Sequence, residues 1–169
     1  GKDSLDTLDG LDNLVILLVE DSLAALQQLA AYKRSLYHGP VIGITGSNGK
    51  TVVKEWLYQL LKDDYRITRS PKSYNSQIGV PLSVWQLNEQ TELAIFEAGI
   101  SEMGEMARLQ PMILPTIGVV TYIGHEHGEN FPSLEAKRQE KMLIEGLTFS
   151  QFLHLFHSDF SLYLIIKVQ

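Results

Sequence analysis

Residues 41–55, VIGITGSNGKTVVKE, restrict the fold more than any other stretch of this chain. Val41–Thr45 suits a short buried strand, Gly43, Gly46 and Gly49 permit a tight turn, and the residues from Lys50 onward have helical spacing. A strand running through a glycine-rich turn into a helix gathers backbone N–H groups and the positive end of the helix at one point, a setting for a phosphate. The common form of such a loop has Gly, four residues, then Gly-Lys-Ser/Thr; here Ile44 stands where the first glycine belongs. The Gly-Lys-Thr ending is intact. Thr45, Gly46, Ser47, Asn48 and Gly49 are therefore expected to wrap a phosphate with inward N–H groups, Lys50 to reach the β- and γ-phosphates, and Thr51 to offer its hydroxyl to Mg²⁺. The alternative is a plain glycine turn between strand and helix.

The rest of the chain repeats this grammar. Strands are expected at residues 14–19, 41–45, 65–68, 93–97 and 116–123, and helices after Asp21 or Ser22, from Lys50, and over 80–87, 102–109 and 134–147. In the second helix Val53, Trp56, Leu57, Leu60 and Leu61 recur at three- and four-residue intervals and predict one sheet-facing surface. Alternation of this kind implies an α/β fold with a mainly parallel sheet, helices on both faces, and ligands beyond the carboxyl ends of the strands. Residues 1–40 read as the end of a preceding domain plus a connecting helix, and 41–148 as a nucleotide-binding core. Residues 149–169, dense in aromatic and aliphatic groups, read as an atypical tail, truncated or frame-shifted.

Composition narrows the functions. The chain of 169 residues is 44% apolar, enough for a core, and its net charge of −6, with no basic run, argues against a nucleic-acid partner. The absence of cysteine excludes disulfides and thiolate metal sites and is compatible with an intracellular location. The apolar run at 14–19 is too short to span a bilayer.

Six further residues are candidates for chemistry. Glu97 ends an apolar strand, where its carboxylate is either solvated or a hard oxygen ligand for Mg²⁺. His125 and His127 form a His-x-His pair, either a polar loop or part of a metal site, with no third ligand fixed by spacing. Lys137 and Lys141, four apart on one helix, share a face; a lysine is by default solvated. Asn75 sits in SYNSQIGVP, as a loop former or as a site residue. Lys54 and Arg108 read as surface charges.

TGSNGKT after a short apolar strand resembles the ATP loop of the Mur ligases, whose variant pattern accounts for the displaced glycine. The resemblance continues through SYNSQIGVPLSVWQL, AIFEAGISEMGEMARL, VVTYIGHEHGENFPSLE and KRQEKMLIEGL, covers about residues 14–148, and is greatest to members that join D-alanyl-D-alanine to UDP-N-acetylmuramoyl-tripeptide. It implies a cytoplasmic, ATP- and Mg²⁺-dependent ligase of cell-wall precursor synthesis that forms an amide bond through an acyl phosphate. It also implies roles: Glu97 and His127 as magnesium-associated ligands, Lys141 as the carbamoylated lysine, and Asn75 at the border of the reacting groups. Tyr122, Ser76 and Gln77 depart from the family pattern at positions usually Asn, Asn and Asp. A ligase of the same superfamily acting on another amine, such as a folate polyglutamate ligase, and a catalytically silent nucleotide-binding module are the alternatives.

Overall fold

The computed structural model describes residues 16–124, 128–145, 153–157 and 160–166. Helix α1 (Ser22–Ser35) opens the described fold, its N-cap Asp21 accepting from the Leu23 and Ala24 N–H groups. There follow β1 (Val41–Thr45), α2 (Lys50–Leu61), β2 (Ile67–Arg69), α3 (Gly79–Val84), β3 (Leu93–Glu97), α4 (Glu105–Ile113), β4 (Ile117–Val120) and α5 (Leu134–Met142). A 3-10 turn over Leu143–Glu145 follows α5, where continued α-helix was expected; 146 and 147, the last two residues of that expectation, lie outside the described residues. Leu153–His157 and Phe160–Ile166 are the strands β5 and β6.

The six strands form one sheet in the order β2-β3-β1-β4-β6-β5. The first four are parallel. β6 pairs antiparallel with β4, and β5 antiparallel with β6. β1 and β3 are buried at every position, as parallel strands covered on both faces must be.

The period-2 alternation of side chains distributes these strands between two cores. Ile42, Ile44, Leu93, Ile95 and Val119 face α2, meeting Val53, Leu57 and Leu61. Val41, Ala94 and Phe96 face the opposite layer, where Ala30 of α1, Val80 and Val84 of α3, and Met106, Leu109, Met112 and Ile113 of α4 complete the larger cluster. Helices therefore cover both faces. A buried guanidinium joins α1 to the end of α4: Arg34 donates through Nε to the Ile113 carbonyl at 2.7 Å and through its two terminal nitrogens to the carbonyls of Leu114 and Tyr37, both at 2.6 Å. Burial lowers the Arg34 pKa from its ordinary value, and the same burial raises that of Tyr37.

Three expectations are corrected. Residues 16–19 form no strand, and Ile16, Leu17, Leu18 and Val19 lie exposed, because an apolar run without a ladder partner cannot satisfy its backbone away from water. On α2, Trp56 and Leu60 are 62% and 74% exposed; they stand one residue, about 100°, round the helix from Leu57 and Leu61, outside the stripe the sheet covers. Lys54, expected on the surface, is fully buried for a reason that belongs to the site. Arg108 is half-exposed beside Glu102. Among the described residues, no helix is long and apolar enough to cross a membrane.

Candidate functional site

β1 stands where the parallel order turns back, with β3 on one side and β4 on the other, so the loop 46–49 opens at the crevice beyond their carboxyl ends. Gly46 has φ +139 and Gly49 φ +88, left-handed conformations that side chains disfavour. Gly49 is the N-cap of α2 and supplies no side-chain cap, so the first turn of that helix presents its positive end to the crevice.

Two expectations about the loop are corrected. Gly43 takes no part in the turn: it lies within β1, where a Cβ would come 3.0 Å from the Pro115 Cβ and 3.2 Å from the Ile144 Cδ1, so its smallness serves packing. Nor do all the loop N–H groups point inward. Those of Ser47 and Asn48 donate to the Tyr122 carbonyl, at 2.8 and 3.5 Å, stitching the loop to the segment after β4. Thr121 adds to that seam, its hydroxyl lying 2.6 Å from the Asn48 carbonyl and 3.1 Å from that of Thr45. The Thr45 hydroxyl donates to the Ala98 carbonyl at 2.9 Å, joining the ends of β1 and β3.

Glu97 lies at the end of β3 on the face shared with Leu93 and Ile95, the face α2 covers. There its fully buried carboxylate meets two residues of α2: Oε2 accepts from the Thr51 hydroxyl at 3.0 Å, and Oε1 lies 2.9 Å from the Lys54 ammonium. Oε1 nevertheless accepts no aligned hydrogen bond. A hydroxyl and a carboxylate so placed are hard oxygen donors, and one oxygen retains lone-pair capacity, which fits an ion that draws its other ligands from phosphate and water. Among the described residues, no group of three or more His, Cys, Asp and Glu gathers to form a protein-only metal cage.

The third contribution comes from α5. Ser133 caps it, accepting from the Ala136 N–H at 3.0 Å, and its buried face is charged: Lys137, Glu140 and Lys141 are 1–3% exposed. Lys141 donates to the Gly46 carbonyl at 3.2 Å and Lys137 to that of Gly124 at 2.7 Å. Glu140 turns the other way and accepts from the Gly104 and Met106 N–H groups, at 2.9 and 3.0 Å, bracing the start of α4. Lys50 reaches back over the loop to the carbonyls of Gly46 and Ser47, at 2.8 and 3.1 Å.

Lys50, Lys137 and Lys141 line one cleft of about 270 Å³ with Gly46, Ser47, Asn75, Ser76, Gly99 and Ser101. Three ammonium groups converging on a polar cleft suit a ligand that carries several negative charges. Asn75 is held there by its carbonyl, which accepts from the Gly99 N–H at 2.7 Å. Gln77, where the family pattern has Asp, ties this loop to α1 and α4: its side-chain oxygen accepts from Gln27 at 3.0 Å, and its amide donates to the Glu105 carbonyl at 3.1 Å. The structure thus gathers Gly46, Ser47, Lys50, Asn75 and Lys141 at the cleft, with Thr51 and Glu97 paired through a hydrogen bond at the end of β3. His125 and His127 lie outside the described residues. Lys54 is an addition to the expected set, and Lys137, considered beside Lys141, reaches the cleft together with it. The signal for Lys54 lay in the alternation that puts Glu97 under α2, one helical turn beyond Thr51.

The profile of the Mur ligase middle domain matches residues 44–161. The UDP-N-acetylmuramoyl-tripeptide–D-alanyl-D-alanine ligase of Bacillus subtilis is 41% identical over 138 residues, a span covering 80% of this chain and 30% of that protein. The ligase of the same name from Borreliella burgdorferi is 37% identical, covering 90% of this chain and 33% of its own length. Among solved structures, MurF from Acinetobacter baumannii superposes with a TM-score of 0.73 at 29% identity, over 80% of this chain and 30% of that one. MurF from Thermotoga maritima, in complex with ADP, gives 0.70 at 35% identity, over 79% and 31%. The chain therefore spans about 30% of the length of these relatives.

Proposed function

Since the chain belongs to the Mur ligase family through its middle domain, we propose that it is the nucleotide-binding part of a cytoplasmic ligase that joins D-alanyl-D-alanine to UDP-N-acetylmuramoyl-tripeptide at the expense of ATP. The observation that carries this reading is the convergence of Lys50, Lys137 and Lys141 on one cleft at the mouth of the glycine loop, beside the Thr51–Glu97 pair. The relatives bear that enzyme's name, and one solved neighbour holds ADP.

In the proposed reaction a carboxylate oxygen of the tripeptide attacks the γ-phosphorus of ATP, and ADP leaves. The amine of D-alanyl-D-alanine then attacks the carbonyl carbon of the acyl phosphate, giving up a proton as inorganic phosphate departs. Two anionic groups must meet in the first step, so fixed positive charge aimed at the reacting oxygens is the main requirement. Lys50 and the uncapped first turn of α2 face the nucleotide phosphates. Lys141 and Lys137 supply charge from the opposite wall. Carbamoylation of Lys141 would turn that ammonium into a carboxylate, and Asn75 stands where it can orient the acyl group. Magnesium, when bound by Thr51 and Glu97 with His127, neutralises phosphate charge and orients the phosphates.

Calorimetric titration of ADP and ATP into the chain tests the nucleotide reading. Lys50→Ala removes charge-assisted bonds of about 3 kcal/mol, so affinity should fall about a hundredfold while the circular dichroism spectrum is unchanged. Unaltered affinity would remove Lys50 from the site. Because the relatives are about three times longer, the chain alone is expected to bind nucleotide without making the amide. Phosphate release dependent on both substrates would contradict that expectation.

A further inference from the structure

Lys54 is fully buried in α2, one turn beyond Lys50 and Thr51. Its ammonium lies 2.9 Å from Glu97 Oε1 and 3.3 Å from Glu55 Oε1, and donates to the Ser70 carbonyl at 2.8 Å and to the Lys72 carbonyl. Both carbonyls belong to the loop after β2, where Lys72 takes a left-handed φ of 48. The Ser70 hydroxyl in turn accepts from the Glu97 N–H at 3.1 Å, and the same loop leads to Asn75 at the cleft. A lysine is a compact charge with three donors; here two carbonyls accept from it, and a buried carboxylate oxygen stands 2.9 Å away as its counter-charge.

We propose that Lys54 is a positioning residue of the nucleotide–metal site. It serves as a permanent internal cation that neutralises Glu97, fixes that carboxylate with Oε2 turned to Thr51, and holds the 70–72 backbone from which Asn75 is presented. The inference rests on the reading of Thr51 and Glu97 as magnesium ligands. Its consequence is that the carboxylate and the loop are in place before a divalent ion arrives. Methionine at position 54 keeps the apolar stem but leaves Glu97 without a counter-charge and free to turn from Thr51.

The test is calorimetric titration of ADP, in magnesium chloride and in EDTA, into the parent chain and the variants Lys54→Met, Glu97→Gln and the double variant. The parent should bind more tightly with magnesium. Lys54→Met should keep its EDTA affinity within about twofold of the parent while losing at least tenfold of the magnesium enhancement, and should add no further loss in the Glu97→Gln background. Equal losses in both buffers, an unchanged enhancement, or the same loss in the Glu97→Gln background would each overturn the proposal. Should Lys54→Met fail to fold, the double variant decides. With no unmatched buried charge it should fold, and its failure to do so would assign Lys54 to packing alone. A parent chain with no magnesium enhancement would remove the metal reading itself before any variant is compared.

Discussion

Alanine at Gly46 is the most searching perturbation of the loop. A Cβ there would overlap the Thr121 hydroxyl oxygen and lie 3.0 Å from the Thr121 Cβ, on a backbone held at φ +139. Thr121 is 3% exposed and cannot swing into solvent. The backbone conformation costs a non-glycine residue about 1–3 kcal/mol. Displacing the Thr121 hydroxyl, whose single hydrogen is shared between the Thr45 and Asn48 carbonyls, loses about 1 kcal/mol. Crowding of the packed seam adds about 1–3 kcal/mol. The sum, about 3–7 kcal/mol, rivals the whole stability of an ordinary domain, about 5–15 kcal/mol. Urea titration followed by circular dichroism would measure it, in Gly46→Ala, Thr121→Ala and the double variant. Thr121→Ala removes the overlapping oxygen, so the double variant should lose at least about 2 kcal/mol less than the two single losses added together. Strict additivity, or a Gly46→Ala loss below about 1 kcal/mol, would refute the close approach of the loop to the end of β4.

Two further outcomes test the packing. Arg34→Ala leaves the Ile113, Leu114 and Tyr37 carbonyls without their charged donor and should cost about 3 kcal/mol in urea unfolding, with Arg34→Lys restoring under half because an ammonium lacks the planar fork; full rescue by lysine would contradict the geometry. On α2, Leu57→Ala should cost about 2 kcal/mol, whereas Trp56→Gln, on the exposed side, should change stability by less than about 0.5 kcal/mol. Equal costs would restore the wider apolar face that periodicity suggested.

The strands Val41–Thr45 and Leu93–Glu97 were legible to the residue because each is a short apolar run closed by a turn, and a parallel strand buried on both faces leaves that trace. Residues 14–19 carry the same trace, yet 16–19 lie exposed with no strand: local pattern records what a segment can do, while pairing depends on a neighbour elsewhere in the chain. The loop and Glu97 were readable from residue type and place. Lys54 was not, because a lysine on a helix is ordinarily solvated. Only its placement over a buried carboxylate brings it inside, and that placement requires the register of α2 on β3. Lys137 was less visible than Lys141 for a related reason: spacing names a face of α5 but not what that face meets.

Helix α5 turns Lys137, Glu140 and Lys141 inward together, two toward the loop and cleft and one toward the start of α4. Inserting or deleting one residue ahead of these three would rotate them about 100° and withdraw all of them at once. A helix docked by oil tolerates such a slip if another apolar residue rolls into place. This one has no substitute to offer, so its length is under tighter constraint than its composition, and its sequence can drift freely only on the side facing water.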